Sequence, residues 1–281
     1  MSTPLEKRFE TGEWDCIEKR LHPLAALRQP SGDMVHGKEA VSLSLKDFKW
    51  PVLLHCTSYE NIRVCVFEGN LHLKIKDKGG LINRLYFSHV DPSFTRYRLD
   101  CAYDGTLYHG FQRQKGKPTV QGEIESVLRH ITQERITITP SGRTDRGVHA
   151  DRQVIHFDTR SPLPRATIEK LVKRMLPADV KVLSLAQVPS VFHARFDARM
   201  KTYHYTILGE KDPFMAHYAW VRPGVDVERL NEMLAMFEGT HDFSAFGKGS
   251  DEALTKRTIK TARAKEVQGR IMVTIESEGF L

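Results

Sequence analysis

The chain has 281 residues, 40% hydrophobic and 27% charged, with a net charge of +7 to which residues 1–95 contribute only +1. No apolar run approaches the roughly 20 residues that span a bilayer, and residues 1–7 lack the pattern of a signal or transit peptide, so we expect a cytoplasmic protein rather than a membrane or secreted one. The positive excess after residue 95 mildly favours a polyanionic partner such as nucleic acid, although a solvated charged surface is the commoner cause.

The first 95 residues carry no chemical motif. Residues 43–52 fit a strand or a short helix, whereas Leu71, Leu73 and Ile75 alternate as the residues of a strand do. We treat 1–95 as an uncharacterised N-terminal extension with three readings. It is a small extra domain, a disordered lead, or translated sequence foreign to the functional protein.

Residues 96–190 predict a first α+β unit. An alternating strand over 97–103 precedes a helix that Thr119 caps, and strands follow through Ile136 and Ile138 and over 153–157. A second helix is predicted to end before Pro177, and a strand over 180–185 follows. This strand–helix–strand–strand–helix–strand order is ferredoxin-like, the split βαβ or RRM-like arrangement.

Residues 191–281 predict a second α+β unit that begins the same order again. Strands are expected over 200–207 and 218–221, followed by a helix that Asp226 caps and Gly239 closes. Strands over 257–264 and 271–275 come next. The chain then ends at Phe280 and Leu281 without a second helix, so we expect this unit to be incomplete at its C-terminus. The fold class is α+β, with two such units packed together.

The four cysteines indicate neither a metal site nor a disulfide framework. They form no C-x-x-C pair, and no histidine stands at zinc-ligand spacing from them. We expect reduced thiols at Cys16, Cys56, Cys65 and Cys101.

The segment 141–150 is the densest in chemically useful side chains. Two glycines flank two arginines, an aspartate and a histidine, between two predicted strands. A solvated connection between strands is the ordinary interpretation of such a loop. The density of charged groups favours a functional one.

GRTDRGVHA at 142–150 resembles the signature of the TruA family of tRNA pseudouridine synthases, which surrounds the catalytic aspartate. Eight further stretches similar to that family lie around it in the same order, and together they cover about 96–281. They are YDG at 103–105, GFQRQ at 110–114, TVQ at 119–121, LPADV at 176–180, FHARFDA at 192–198, KTYHY at 201–205 with FEGTHDF at 237–243, and GFL at 279–281.

The resemblance implies that Asp145 is the catalytic residue of a uridine isomerase acting in the anticodon stem-loop of tRNA, at positions 38–40. The reaction is a net isomerisation, so no cofactor and no metal are expected. A carboxylate can act as a nucleophile or as a base, and the sequence leaves this choice open. Arg143, two residues away, is expected to keep Asp145 ionised and to contact phosphate.

Tyr203 matches the tyrosine of the family's K-T-Y-x-Y stretch and is expected to stack on a flipped base. Core packing is the ordinary alternative for an aromatic residue in a strand, and we assign Tyr205 to the core or the pocket wall. The remaining candidates for substrate binding are Arg146, Arg195, Lys201, Arg113 and Gln114, with Lys115 and Lys117 as further phosphate contacts. We expect Gln112, Gln114 and Gln121 to order the first loop, and His149 and His193 to be structural.

Two departures from the family pattern matter. Arg146 stands where the pattern often has a small residue, and the segment that follows GFL in the family, with a basic residue for the aspartate, is absent. The resemblance also implies a homodimer that binds tRNA. The main alternative is a non-catalytic RNA-binding fragment of such an enzyme. A zinc-dependent base deaminase is excluded, because the His-x-Glu and Cys-x-x-Cys elements it needs are missing.

Overall fold

A computed structural model describes residues 93–246 and 255–280, together with the strands of the N-terminal part. It confirms the α+β class. The chain divides into two compact units. The first comprises Met1–Arg96, Asp158–Arg160 and Gln187–Phe192, and the second comprises Tyr97–Phe157, Ser161–Ala186 and His193–Leu281.

The N-terminal part forms one six-stranded sheet. Its strands are β1 (Leu21–Arg28), β2 (Met34–His36), β3 (Leu53–Tyr59), β4 (Ile62–Phe67), β5 (Leu71–Lys78) and β6 (Leu81–His89), in the order β2-β1-β6-β5-β4-β3. The strand predicted from alternation at Leu71 is confirmed as β5, where Leu73 and Ile75 are both buried. The segment 43–52 lies outside the described residues.

A four-stranded sheet with two helices follows. Its elements are β7 (Thr95–Tyr103), α1 (Val120–Thr132), β8 (Thr139–Pro140), β9 (Ala150–Thr159), α2 (Arg165–Met175) and β10 (Val180–Gln187), and the strand order is β10-β7-β9-β8. Thr119 caps α1 as predicted, since its side chain accepts a hydrogen bond from Gly122 N at 3.2 Å. Apolar residues of both helices pack with those of the strands in one buried core.

The predicted strand through Ile136 and Ile138 is wrong, because only Thr139 and Pro140 pair with β9. Both isoleucine side chains are buried, which explains their apolar spacing. The backbone N–H of Ile138 donates to the Glu125 carboxylate of α1 at 3.0 Å. The Glu125 side chain thus binds the backbone N–H that Ile138 would otherwise donate to a neighbouring strand.

A five-stranded sheet forms the rest of the second unit. Its elements are β11 (Lys201–Leu208), β12 (Trp220–Val221), α3 (Val227–Ala235), β13 (Gly239–Asp242), β14 (Lys256–Val267) and β15 (Arg270–Ser277), in the order β12-β11-β15-β14-β13. Asp226 caps α3 as predicted, accepting from Glu228 N and Arg229 N. This sheet buries its own core around Ile207, Leu234 and Val273.

Two details of this sheet differ from the prediction. Residue 218 is not in a strand, because Tyr218 N donates to Met215 O at 2.9 Å in a turn after the 3-10 helix Pro213–Met215. Gly239 does not close α3, which ends at Ala235. Gly239 is instead the first residue of β13, where its φ is +99°. No helix in the described part of the chain is long and apolar enough to cross a membrane.

Candidate functional site

The segment 141–149 connects β8 to β9, and its charged side chains face solvent. Ser141 N donates to Val154 O at 2.7 Å, and the Gln153 side chain donates to Gly142 O, so the loop leaves the sheet in a fixed direction. A turn closes where Val148 N donates to Asp145 O at 3.2 Å. Arg143, Asp145 and Arg146 are all exposed. We call this segment the Asp145 loop.

The segment after β7 holds the Asp145 loop through backbone contacts. Phe111 N donates to Thr144 O at 3.0 Å, and Gly147 N donates to Tyr108 O at 3.3 Å. A Cβ atom at Gly105 would lie 2.0 Å from the carbonyl oxygen of Val148, so only glycine fits there. The loop that carries Asp145 is therefore held against a second loop at both of its ends.

Asp104, His149 and Tyr218 connect the Asp145 loop to the turn before β12. The Tyr218 hydroxyl donates to Asp104 Oδ2 at 2.5 Å, and the Tyr218 and His149 rings lie 4.8 Å apart. His149 Nε2 lies 3.0 Å from the carbonyl oxygen of His217, to which it donates. We call these three residues the Asp104 network, which links the loop to the five-stranded sheet.

Hydrogen bonds also determine the charge of Asp104 within this network. His149 Nδ1 accepts from Gly105 N at 3.1 Å and lies 3.0 Å from Asp104 Oδ1. Burial acts to raise the pKa of the Asp104 carboxyl, but hydrogen bonds from Thr106 and Tyr218 outweigh it and hold that pKa well below its usual range. Asp104 thus stays ionised at neutral pH.

Tyr203 lies on β11, half-buried, with its ring edge-on to Phe280 at 4.7 Å. Burial raises the pKa of the Tyr203 phenol, and the nearby Tyr205 and the charge of Asp145 raise it further. Lys201 begins the same strand, and a Cβ atom at Gly142 would lie 3.1 Å from Lys201 Nζ, so the Lys201 side chain crosses the start of the Asp145 loop.

Cys101 and the acidic and histidine side chains offer no metal centre. Within 93–246 and 255–280, no group of three His, Cys, Asp or Glu residues could hold a metal ion. Burial, and to a lesser extent the charge of Asp100, raises the pKa of the Cys101 thiol to about 12. This thiol lies 3.6 Å from Gln153 O, and its role is structural.

Comparison with known proteins identifies the family. A family model described as tRNA pseudouridine synthase matches residues 101–197. A tRNA pseudouridine synthase A from Anoxybacillus flavithermus is 41% identical over 190 residues, which are 66% of this chain and 77% of the relative. One from Halalkalibacterium halodurans is 41% identical over 66% of this chain and 73% of its own length. The chain belongs to the tRNA pseudouridine synthase A family, whose members are isomerases.

Among solved structures, an NTF-2 like protein from Burkholderia xenovorans matches 31% of this chain and 77% of its own, at 14% identity and a TM-score of 0.25. A likeness this weak carries no argument.

The structure brings together only part of the site predicted for a tRNA pseudouridine synthase A. Asp145, Tyr203 and Lys201 share one region, as described above. Within the described residues Arg143 and Asp145 form no ion pair, and the expectation that Arg143 keeps Asp145 ionised stays a prediction. Tyr205 is 60% exposed, which excludes the core and leaves the pocket wall of the two alternatives.

Several other predicted binding residues of this tRNA pseudouridine synthase A family member have protein partners. Arg113 forms an ion pair with Glu125, and the Gln114 side chain donates to His109 O at 2.7 Å. Arg195 lies over the Phe196 ring at 6.0 Å. Burial, and then the charge of the nearby Arg146, lower the pKa of the His109 imidazole.

Two of the three glutamines expected to order the first loop do so. Besides Gln114, the Gln121 side chain accepts from Arg113 N at 2.9 Å. His149 and His193 are structural as expected, and the Phe196 ring stacks on His193 at 4.1 Å. The partnership of Asp104 with Tyr218 was missed, although YDG at 103–105 is one of the family stretches. A contact across 114 positions has no local sequence signal.

The Asp104 network predicts a modest effect of Tyr218→Phe on turnover. The substitution removes the hydrogen bond to Asp104 but keeps the ring beside His149. We expect kcat to fall roughly threefold to tenfold, below the about hundredfold that a misplacement of 1 Å can cost, while KM for tRNA stays within about twofold. The pKa of Asp104 should rise, because a donor to its charged form is lost.

A matched control for Tyr218→Phe is Tyr97→Phe, which removes a hydroxyl from a core tyrosine whose ring packs on Phe157 at 5.6 Å. Steady-state kinetics and thermal unfolding of both variants separate positioning from stability. If the two variants lost equal activity, or if Tyr218→Phe lost activity only in proportion to its melting temperature, the network would have no positioning role.

Proposed function

We propose that this chain isomerises uridine to pseudouridine in the anticodon stem-loop of tRNA, with Asp145 as the catalytic residue and with no cofactor. The observation that carries the proposal is an exposed Asp145 on a loop that backbone contacts hold on both sides of it, beside Lys201 of the strand that also carries Tyr203. The names of the relatives support tRNA as the substrate.

The proposed reaction balances without an oxidant or a second substrate. The bond between N1 of uracil and C1′ of ribose breaks, the base turns, and a bond forms between C5 and C1′. The proton on C5 is lost, and N1 gains one. The carboxylate of Asp145 can attack as a nucleophile or remove a proton as a base, and either role needs the ionised side chain within reach of the ribose or the base.

Around this carboxylate, we assign Tyr203 as the stacking surface for the flipped uracil. Arg143, Arg146, Arg195 and Lys201 would contact RNA phosphates, which position a strand without reading its sequence. Arg143 is exposed and makes no described ion pair with Asp145, so its guanidinium is available for phosphate. Arg113 and Gln114 would support the loop that faces the substrate and contribute less to direct binding.

The architecture that would present this site comprises two ferredoxin-like units, 96–190 and 191–281, after an N-terminal extension of residues 1–95. The sheet order β10-β7-β9-β8, with α1 and α2 as crossovers, supports this for the first unit. By analogy with the family, we propose a homodimer located in the cytoplasm.

Tritium release from tRNA labelled at C5 of uracil tests the proposed function. The purified full chain is expected to release tritium, because pseudouridine formation removes the C5 hydrogen, and to bind tRNA. Binding without release under single-turnover conditions would favour a non-catalytic RNA-binding protein instead. The absence of both would reject the proposal.

A further inference from the structure

A cavity of about 510 Å³ opens beside α1, outside the Asp145 loop. The residues that line it come from the first loop, from one face of α1 and from the segment after it. They are Arg113, Gly122, Glu125, Ser126, Arg129, Arg135 and Ile136. We call it the arginine cavity, because three of these side chains are arginines.

Glu125, the only carboxylate that lines the arginine cavity, already has protein partners. The Glu125 side chain is 6% exposed and forms an ion pair with Arg113. It also accepts hydrogen bonds from Gln121 Nε2 at 2.8 Å and from Ile138 N at 3.0 Å. Glu125 therefore fixes the Arg113 side chain and neutralises one guanidinium, which leaves two positive charges around the cavity.

Those two charges belong to Arg129 and Arg135, both exposed. Neither guanidinium forms a hydrogen bond or an ion pair within the described part of the chain. Arg129 lies in the last turn of α1, where the helix dipole favours a cation. The dipole does not account for Arg135, which follows the helix. Two unpaired guanidiniums at one concave surface repel each other, and a phosphate group removes that repulsion and accepts their hydrogen bonds.

The first loop, which contributes Arg113 to the arginine cavity, also contacts the Asp145 loop. Phe111 contacts Thr144 of that loop directly, and Arg113 comes two residues later. Arg113 lines the cavity, so the first loop both contacts the Asp145 loop and contributes to the cavity wall. An RNA strand with its uridine at Asp145 can run along this loop toward the cavity.

We propose that the arginine cavity binds a phosphodiester group of the RNA substrate, a few nucleotides from the target uridine. The site rests on the proposed function, since it assigns a second contact to the same RNA. Arg129 and Arg135 contact the phosphate, and Arg113, held by Glu125, forms the wall next to the Asp145 loop.

The test uses the full-length double variant Arg129→Ala/Arg135→Ala and measures tRNA binding between about 50 and 200 mM salt. We expect Kd for tRNA to rise about tenfold, and the slope of log K against log salt to become shallower by about 1. Arg129→Lys/Arg135→Lys keeps both charges and should restore most of the affinity.

The matched control is Lys170→Ala/Arg174→Ala, which removes two exposed positive charges from α2 and leaves the arginine cavity intact. Equal losses of affinity in the two alanine pairs would show an effect of overall charge and overturn the proposal. An unchanged Kd for tRNA in the Arg129→Ala/Arg135→Ala variant would also overturn the proposal. If inorganic phosphate then stabilised only the wild-type chain, the cavity would be a site for small anions and not for RNA. Tritium release by the wild-type preparation decides the proposed function separately.

Discussion

Asp145→Asn is expected to abolish tritium release from C5-labelled tRNA, lowering the single-turnover rate by at least about 10³-fold. Asparagine keeps the size of the side chain and can still form hydrogen bonds, but it has no ionised oxygen to act as nucleophile or base. Because the side chain is exposed, the substitution should leave the fold unchanged. Affinity for tRNA should stay within about threefold, since phosphate contacts dominate RNA binding.

Asp151→Asn is the control for this prediction. Asp151 lies six residues further on, at the start of β9, and is also exposed. The substitution Asp151→Asn removes the same negative charge at a nearby position in the sequence and leaves the Asp145 loop unchanged. Tritium release by Asp145→Asn at a rate close to that of Asp151→Asn would remove Asp145 from the reaction and would leave the proposed mechanism without its central group.

Local patterns in the sequence predicted the elements that local interactions decide. The cap at Thr119 and the apolar spacing after it were sufficient for α1, and alternation was sufficient for β5 and β7. The same reasoning failed at Ile136 and Ile138, because a buried carboxylate thirteen positions away takes the Ile138 backbone donor. No spacing rule contains that contact.

The candidate site shows the same division. The density of charge in 141–150 marked the Asp145 loop, whereas the close approach at Gly105 was visible only in the structure. The pairing of Arg113 with Glu125, and of Asp104 with Tyr218, follows from how the elements pack. Exposed arginines look alike in a sequence, and only the fold separates Arg113, which has a buried partner, from Arg129 and Arg135.

Tyr203→Ala is expected to lower kcat/KM for tRNA about 5-fold to 150-fold, whereas Tyr203→Phe should retain nearly full activity. The range corresponds to the loss of about 1–3 kcal/mol of base stacking. The ring is held edge-on by Phe280 at 4.7 Å, so it offers an aromatic surface of fixed orientation. Phenylalanine keeps that surface and loses only the hydroxyl.

We expect the hydroxyl of Tyr203 to have no acid–base role at neutral pH. Burial raises the pKa of the phenol above its ordinary value, so the group stays protonated at neutral pH. The pH dependence of Tyr203→Phe should therefore match that of the wild-type chain up to about pH 9. A loss of activity in Tyr203→Phe comparable to that in Tyr203→Ala would assign the role to the hydroxyl.

Tyr205→Ala is the matched control for Tyr203→Ala, because it removes an aromatic ring from the same strand. Tyr205 pairs with Val273 across the ladder, as Tyr203 pairs with Ile275, but its side chain is 60% exposed. It should cost activity only about twofold, since the ring assigned to stacking is that of Tyr203, which Phe280 holds edge-on at 4.7 Å. Equal losses in both alanine variants would indicate general damage to β11. A larger loss in Tyr203→Ala, with thermal stability matched between the two, assigns the stacking role to the ring beside Asp145.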